Sequence, residues 1–158
     1  MLKIKIISIL LFSMLMLSSC GFKPLDQKNN NLIYIQNVDV VGETRIAYTI
    51  KNNILLISNN NSKNKYSVKV EIQKKKRVKT KNKTGKITRY SLFVSTKLEL
   101  TNLNDSKKIV KLFTQNKDFD IEEDYSNTIN NENDAIKNII EQISDDIVNF
   151  ITLTMRNL

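Results

Sequence analysis

Tyr66-Ser67-Val68-Lys69-Val70-Glu71-Ile72-Gln73 alternates apolar and polar residues without a break. A period of two puts Tyr66, Val68, Val70 and Ile72 on one face of a strand and the polar four on the other, so one face is buried and one is wet. A second run of the same period, Tyr90, Leu92, Val94, Thr96, Leu98 and Leu100, follows a polar segment with Thr84-Gly85 near its centre. The two predict a long antiparallel hairpin whose tip lies near Gly85.

Working outward, residues 32–41 carry Ile33, Ile35, Val38 and Val40 between Asn and Gly, which reads as another strand, ended by Gly42. Over residues 43–57 the spacing changes: Ile46, Ala47, Ile50, Ile54 and Ile57 recur every three or four positions, the stripe of a helix with Glu43 in its first turn. Residues 58–65, with four Asn, form a loop. Downstream of the hairpin, residues 102–107 turn. Residues 109–114 make a further strand, extending irregularly through Phe119 and Ile121. Residues 132–158 make a long helix, with Ile136, Ile140, Ile143, Ile147, Phe150, Ile151, Thr154 and Leu158 on one side and Ile139 and Val148 beside them. Asn130 or Asn131 is positioned to cap it, with Glu132 and Asp134 in its first turn. The order is β-α-β-β-β-α. An α+β fold follows, a four-stranded sheet with two helices packed on one face, because that buries both helical stripes. There is no internal repeat.

The chain has 158 residues, no His, no Trp, one Cys, three Gly and one Pro. Without His there is no imidazole base and no Cys/His zinc site. With Gly only at 21, 42 and 85 there is no phosphate-cradling Gly-rich loop. The carboxylate pairs Glu122/Glu123 and Asp145/Asp146 are helical neighbours about 100° apart, so they do not converge on one atom and read as a solvated face. Neither enzyme chemistry nor a cofactor or metal is expected. At 41% hydrophobic and 26% charged the chain is a globular protein, one small domain. Lys and Asn each occur 21 times and Arg four. In so Lys-rich a composition, the formal +9 argues only weakly for a nucleic-acid partner.

Residues 1–20 begin with Lys3 and Lys5, continue in an apolar run from Ile6 to Leu17, and end in small residues before Cys20. The run is too short for the roughly 20 residues of a membrane-spanning helix and fits an export signal. Leu17-Ser18-Ser19-Cys20 resembles a bacterial lipobox, in which the Cys becomes the acylated first residue of the mature chain. An ordinary signal peptide with a chance thiol and an N-terminal membrane anchor are the alternatives. Residues 1–19 are thus the expected signal, 20–31 the acylated end and linker, and 32–158 the folded domain. Lipoproteins kept at the inner membrane often carry Asp after the Cys. Gly21 stands there, which by resemblance implies the periplasm-facing leaflet of a Gram-negative outer membrane.

Charge is segregated. Between Ile72 and Leu98 lie ten basic residues and no acid: Lys74, Lys75, Lys76, Arg77, Lys79, Lys81, Lys83, Lys86, Arg89 and Lys97. From Asp118 to Asp146 there are ten acids and a single base, Lys137. Crowded cations on a hairpin repel unless water, salt or an anion screens them. Nucleic acid, anionic lipid headgroups and lipopolysaccharide are the polyanions to weigh. Export and the lack of interleaved aromatics argue against nucleic acid, and a hairpin screened only by water remains the plain alternative.

Several segments together resemble the lipopolysaccharide-assembly lipoproteins, the LptE family. They are Cys20-Gly21-Phe22-Lys23-Pro24-Leu25, Glu43-Thr44-Arg45 running into Lys51-Asn52-Asn53, Arg89-Tyr90-Ser91-Leu92, Asp124-Tyr125-Ser126, and Asn133-Asp134-Ala135 through Ser144-Asp145-Asp146-Ile147. Their order, spacing and lipobox carry the resemblance. It implies a non-enzymatic lipoprotein seated in the outer-membrane β-barrel LptD, helping that barrel assemble and deliver lipopolysaccharide to the outer leaflet. It also implies contact with lipopolysaccharide through basic residues near the hairpin tip, here Lys79, Lys81, Lys83, Lys86 and Arg89, with Lys83 at the position of a basic residue of that tip. A second basic site of the family, before the last helix, is replaced by Ile129 and Asn130. Two alternatives stand beside it: a structural lipoprotein of another envelope complex, and a periplasm-facing carrier of lipid or lipoproteins, which needs an apolar cavity between sheet and helices.

Overall fold

The computed structural model describes residues 33–156; the segments expected to be signal and linker, Cys20 and the last two residues lie outside the described residues. β1 (Tyr34–Val41), α1 (Thr44–Leu56), β2 (Lys65–Lys81), β3 (Ile87–Asn102), β4 (Lys108–Asp120) and α2 (Tyr125–Arg156) follow one another in the order expected from the sequence. The sheet order is β1-β2-β3-β4. β1 runs parallel to β2, because α1 carries the chain back over the sheet, and the other two pairings are antiparallel.

Both helices cover the same face, α1 over β1 and β2, α2 over β4 and β3. The alternation read from the sequence is the burial pattern: Tyr66, Val68, Val70 and Ile72 of β2 and Leu92, Val94, Thr96, Leu98 and Leu100 of β3 are buried. They meet Ile46, Ile50 and Ile54 of α1 and Ile139, Ile143, Ile147 and Ile151 of α2. Burying each large aliphatic side chain contributes about 1.5–3 kcal/mol, so this layer holds the domain together. At the turn from β1 into α1, Gly42 has φ 126° and lies so close to β2 that a Cβ would come within 2.2 Å of the Ile72 carbonyl oxygen. Any side chain there collides with backbone.

Three boundaries differ from expectation. β4 continues regularly to Asp120, paired with β3 throughout. Glu43 is the N-cap of α1 rather than a first-turn residue, and makes no side-chain cap bond. α2 begins at Tyr125, not Glu132, so Asn130 and Asn131 are inside the helix and Glu132 and Asp134 lie beyond its first turn. The cap is Asp124, whose Oδ1 accepts the Ser126 N–H at 2.9 Å. Thr128 Oγ1 in turn accepts the Glu122 N–H at 2.9 Å. The first turns carry only Ile129 as an aliphatic residue, so the apolar period that marks the rest of the helix is missing where the helix starts.

β1 pairs with β2 only as far as Glu71. Beyond it, residues 72–81 of β2 pair with no strand but β3 among the described residues, and the hairpin projects ~30 Å past the end of β1 at 3.3 Å per residue.

Candidate functional site

On the hairpin stem successive side chains alternate faces, so the basic run divides in two. On the helix-covered side, Lys74 Nζ lies 2.6 Å from Glu43 Oε1 and Lys76 Nζ 2.8 Å from Glu132 Oε2. On the open side, Lys75 and Phe93 line a shallow cleft of about 440 Å³. The Arg77 guanidinium lies 5.3 Å over the Phe93 ring.

Nearer the tip the ladder is irregular. Val78 pairs with Tyr90 and Thr80 with Arg89, leaving Lys79 as the extra residue of a bulge. Lys79 forms an ion pair with Asp118 of β4. The Ser91 hydroxyl donates to the same carboxylate at 2.5 Å. Arg89 grips Asp120 with two nitrogens, Nε at 2.5 Å and Nη2 at 3.1 Å. Lys79, then Ser91, hold the Asp118 carboxyl below its ordinary pKa. Arg89 does the same to Asp120 and is itself raised by that partner. The acid-rich segment is therefore not a separate pole of the molecule: its first residues fold back to neutralise the stem.

The tip is built by Asn82. Its Oδ1 accepts the Thr84 N–H at 3.0 Å, the Thr84 hydroxyl at 2.7 Å and the Lys86 N–H at 2.9 Å. Gly85 takes φ 81°, the left-handed conformation the turn requires. Lys81, Lys83 and Lys86 stand exposed around it, with no acidic partner among the described residues.

Of the five predicted contact residues, then, Lys81, Lys83 and Lys86 are free and adjacent, whereas Lys79 and Arg89 are tied to carboxylates. Cys20 lies outside the described residues. Ile129 and Asn130 fall within the first turns of α2, with no base at that position. Asn82, Asp118 and Asp120 were not singled out from sequence. The signal for the two acids was the count of residues across the β3–β4 turn, which sets Arg89 opposite Asp120. Among the described residues no group of three or more His, Cys, Asp or Glu could hold a metal ion. Among them, too, no helix is long and apolar enough to cross a membrane.

Residues 33–151, from the first residue described to the last turns of α2, match the family model named LptE, lipopolysaccharide-assembly. The chain belongs to the LptE family. That family is a non-enzymatic component of lipopolysaccharide transport. Solved structures share the fold. Rare lipoprotein B from Shewanella oneidensis superposes with a TM-score of 0.59 at 11% identity, over 77% of this chain and 97% of that one. The solution structure of lipoprotein B from Nitrosomonas europaea gives 0.58 at 13% identity, over 86% and 93%. A search of curated protein sequences returns no significant match. The LptE assignment thus rests on the family model, and the structural neighbours support the fold.

Proposed function

We propose that this LptE-family chain is an outer-membrane lipoprotein, acylated at Cys20 after removal of residues 1–19, that helps assemble and plug an LptD-type β-barrel delivering lipopolysaccharide to the outer leaflet. Residues 20–31 link the anchor to the domain. The hairpin tip meets lipopolysaccharide phosphates. The observation that carries the last point is the separation of the basic run into paired and unpaired groups: Lys79 and Arg89 are satisfied within the domain, and Lys81, Lys83 and Lys86 have no acidic partner among the described residues, at the end of a projecting stem. Three ammonium groups around one turn suit phosphates held on a rigid glycolipid better than isolated counterions.

A second reading of the lysines has its own support. Residues 72–81 of β2 form an edge with no strand partner but β3 among the described residues once β1 ends, and lysines along an edge discourage pairing with another chain. That accounts for Lys75 and Arg77 on the stem but not for Lys83 and Lys86 in the turn beyond it. The carrier alternative needs a cavity between sheet and helices. That layer is occupied by Val68, Val70, Leu98, Leu100, Ile143 and Ile147, all fully buried.

Isolation of the full-length protein in mild detergent tests the reading against a structural lipoprotein of some other complex. The expected result is stoichiometric co-purification of a large outer-membrane β-barrel, with an acylated Cys20 found by mass spectrometry. Recovery with a different envelope complex, or with an unmodified thiol, contradicts it.

A further inference from the structure

A concavity opens on the helix side of the stem, away from the free tip. Where β4 gives way to α2, residues 121–123 and the first turns of the helix enclose, with the hairpin stem, a notch of about 360 Å³. Tyr90 and Phe119 pave it, their ring centres 5.7 Å apart. Its rim carries Tyr125, 77% exposed, and Ile129, 36% exposed, large side chains that the domain's own core does not take up. Two carboxylates stand beside them. Glu122 accepts only an Asn131 amide N–H at 3.3 Å, and Glu123 has no ionic partner among the described residues.

The notch already holds one cation. Lys76 Nζ sits 5.1 Å from the Tyr90 ring centre and 5.4 Å from that of Phe119, with Glu132 Oε2 at 2.8 Å. Two rings and a carboxylate make a place for an ammonium group, and Lys76 neutralises only Glu132. Glu122, Glu123 and the Tyr125 ring bring two carboxylates and one ring to the mouth, with no ion-paired cation of their own among the described residues. A phosphate or an anionic lipid is repelled there. Glu122 and Glu123 precede α2 and are not the helical neighbours expected from sequence, and both line the notch, so a lysine or arginine side chain fits with its charge beside these carboxylates and its aliphatic stem against Ile129 and the face of Tyr125.

We infer that this notch receives a basic side chain from a protein partner, and that the partner is the inner wall of the barrel. The inference rests on the barrel reading proposed above. The end of the domain that reaches for phosphates then also carries a contact of opposite sign, on the helix side of the same stem. Two complementary contacts on different sides fix the rotation of the domain within its enclosure, which a basic tip alone leaves free.

The test uses the full-length chain co-expressed with its barrel, with the photo-crosslinker p-benzoylphenylalanine in place of Tyr125 or, separately, of Leu112, which is 59% exposed on the open face of the sheet. The Tyr125 probe is expected to cross-link to a barrel peptide containing Lys or Arg. Glu122→Lys with Glu123→Lys is expected to lower that yield at least tenfold, and changing the mapped barrel base to Glu is expected to restore it in the double variant. Isolation of an intact complex that cross-links through Leu112 but not Tyr125, or a Tyr125 yield indifferent to the charge reversal, overturns the notch contact and leaves the barrel reading standing. No complex and no cross-link from either position overturns both.

Discussion

At the scale of single residues, two positions show how closely the chain is constrained. Gly42 has no room for a Cβ, since the atom it would meet is the Ile72 carbonyl oxygen in a hydrogen-bonded strand and not a movable side chain. Gly42→Ala is expected to cost about 2 kcal/mol or more of unfolding free energy in urea titration, from the combined collision and positive φ. Asp118 is constrained electrostatically. Its carboxyl is held below its ordinary pKa by Lys79 and Ser91, so the folded state favours the ionised form more than the unfolded chain does. That contribution is complete above the unfolded value near 3.9 and is lost as pH falls through the lower folded value. Thermal denaturation from pH 6 down to pH 2 is expected to show stability falling at the acid end. Asp118→Asn is expected to flatten part of that fall, and an unchanged profile in the variant removes the Lys79–Asp118 pair from the account.

The elements differ in how they could be read. The strands of the hairpin and α1 were legible because each buries one face against the sheet or the helix layer, so Tyr66 to Ile72, Leu92 to Leu100 and Ile46 to Ile54 carry an undiluted period. The start of α2 was not, because its first turns lie at the sheet margin, where a helix is set by its cap and not by an apolar stripe. Asp124 provides that cap, and Thr128 closes the loop back on Glu122. Asp124→Ala is expected to destabilise the domain by about 0.5–2 kcal/mol, with amide exchange accelerated first in residues 125–131. Uniform exchange along α2 in the variant contradicts the placement of the cap. The ion pairs of the candidate site were hidden for another reason. Segregated charge is visible in one dimension, but whether acids and bases meet depends on register. A one-residue slip between β3 and β4 sends Asp118 and Asp120 to the opposite face from Lys79 and Arg89.

At the scale of the whole molecule, the chain enters β1 beside the start of β2, where the Tyr34 N–H donates to the Asn64 carbonyl at 2.8 Å. The hairpin tip lies at the other end of β2. The first described residues and the hairpin tip thus lie at opposite ends of one sheet, with α1 and α2 packed on a single face and the other face open. This arrangement was implied by the order of elements. The division of the basic residues was not, and it makes the proposed contact specific: it falls to Lys81, Lys83 and Lys86, because Lys79 and Arg89 are ion-paired to β4. Purified lipopolysaccharide binding to the full-length protein, titrated against sodium chloride, tests this most directly. Replacing Lys81, Lys83 and Lys86 together by Ala is expected to weaken binding by about 3- to 150-fold and to flatten its salt dependence, since exposed charge contacts contribute roughly 0.2–1 kcal/mol each. Binding of undiminished strength and salt dependence in the triple variant contradicts the account.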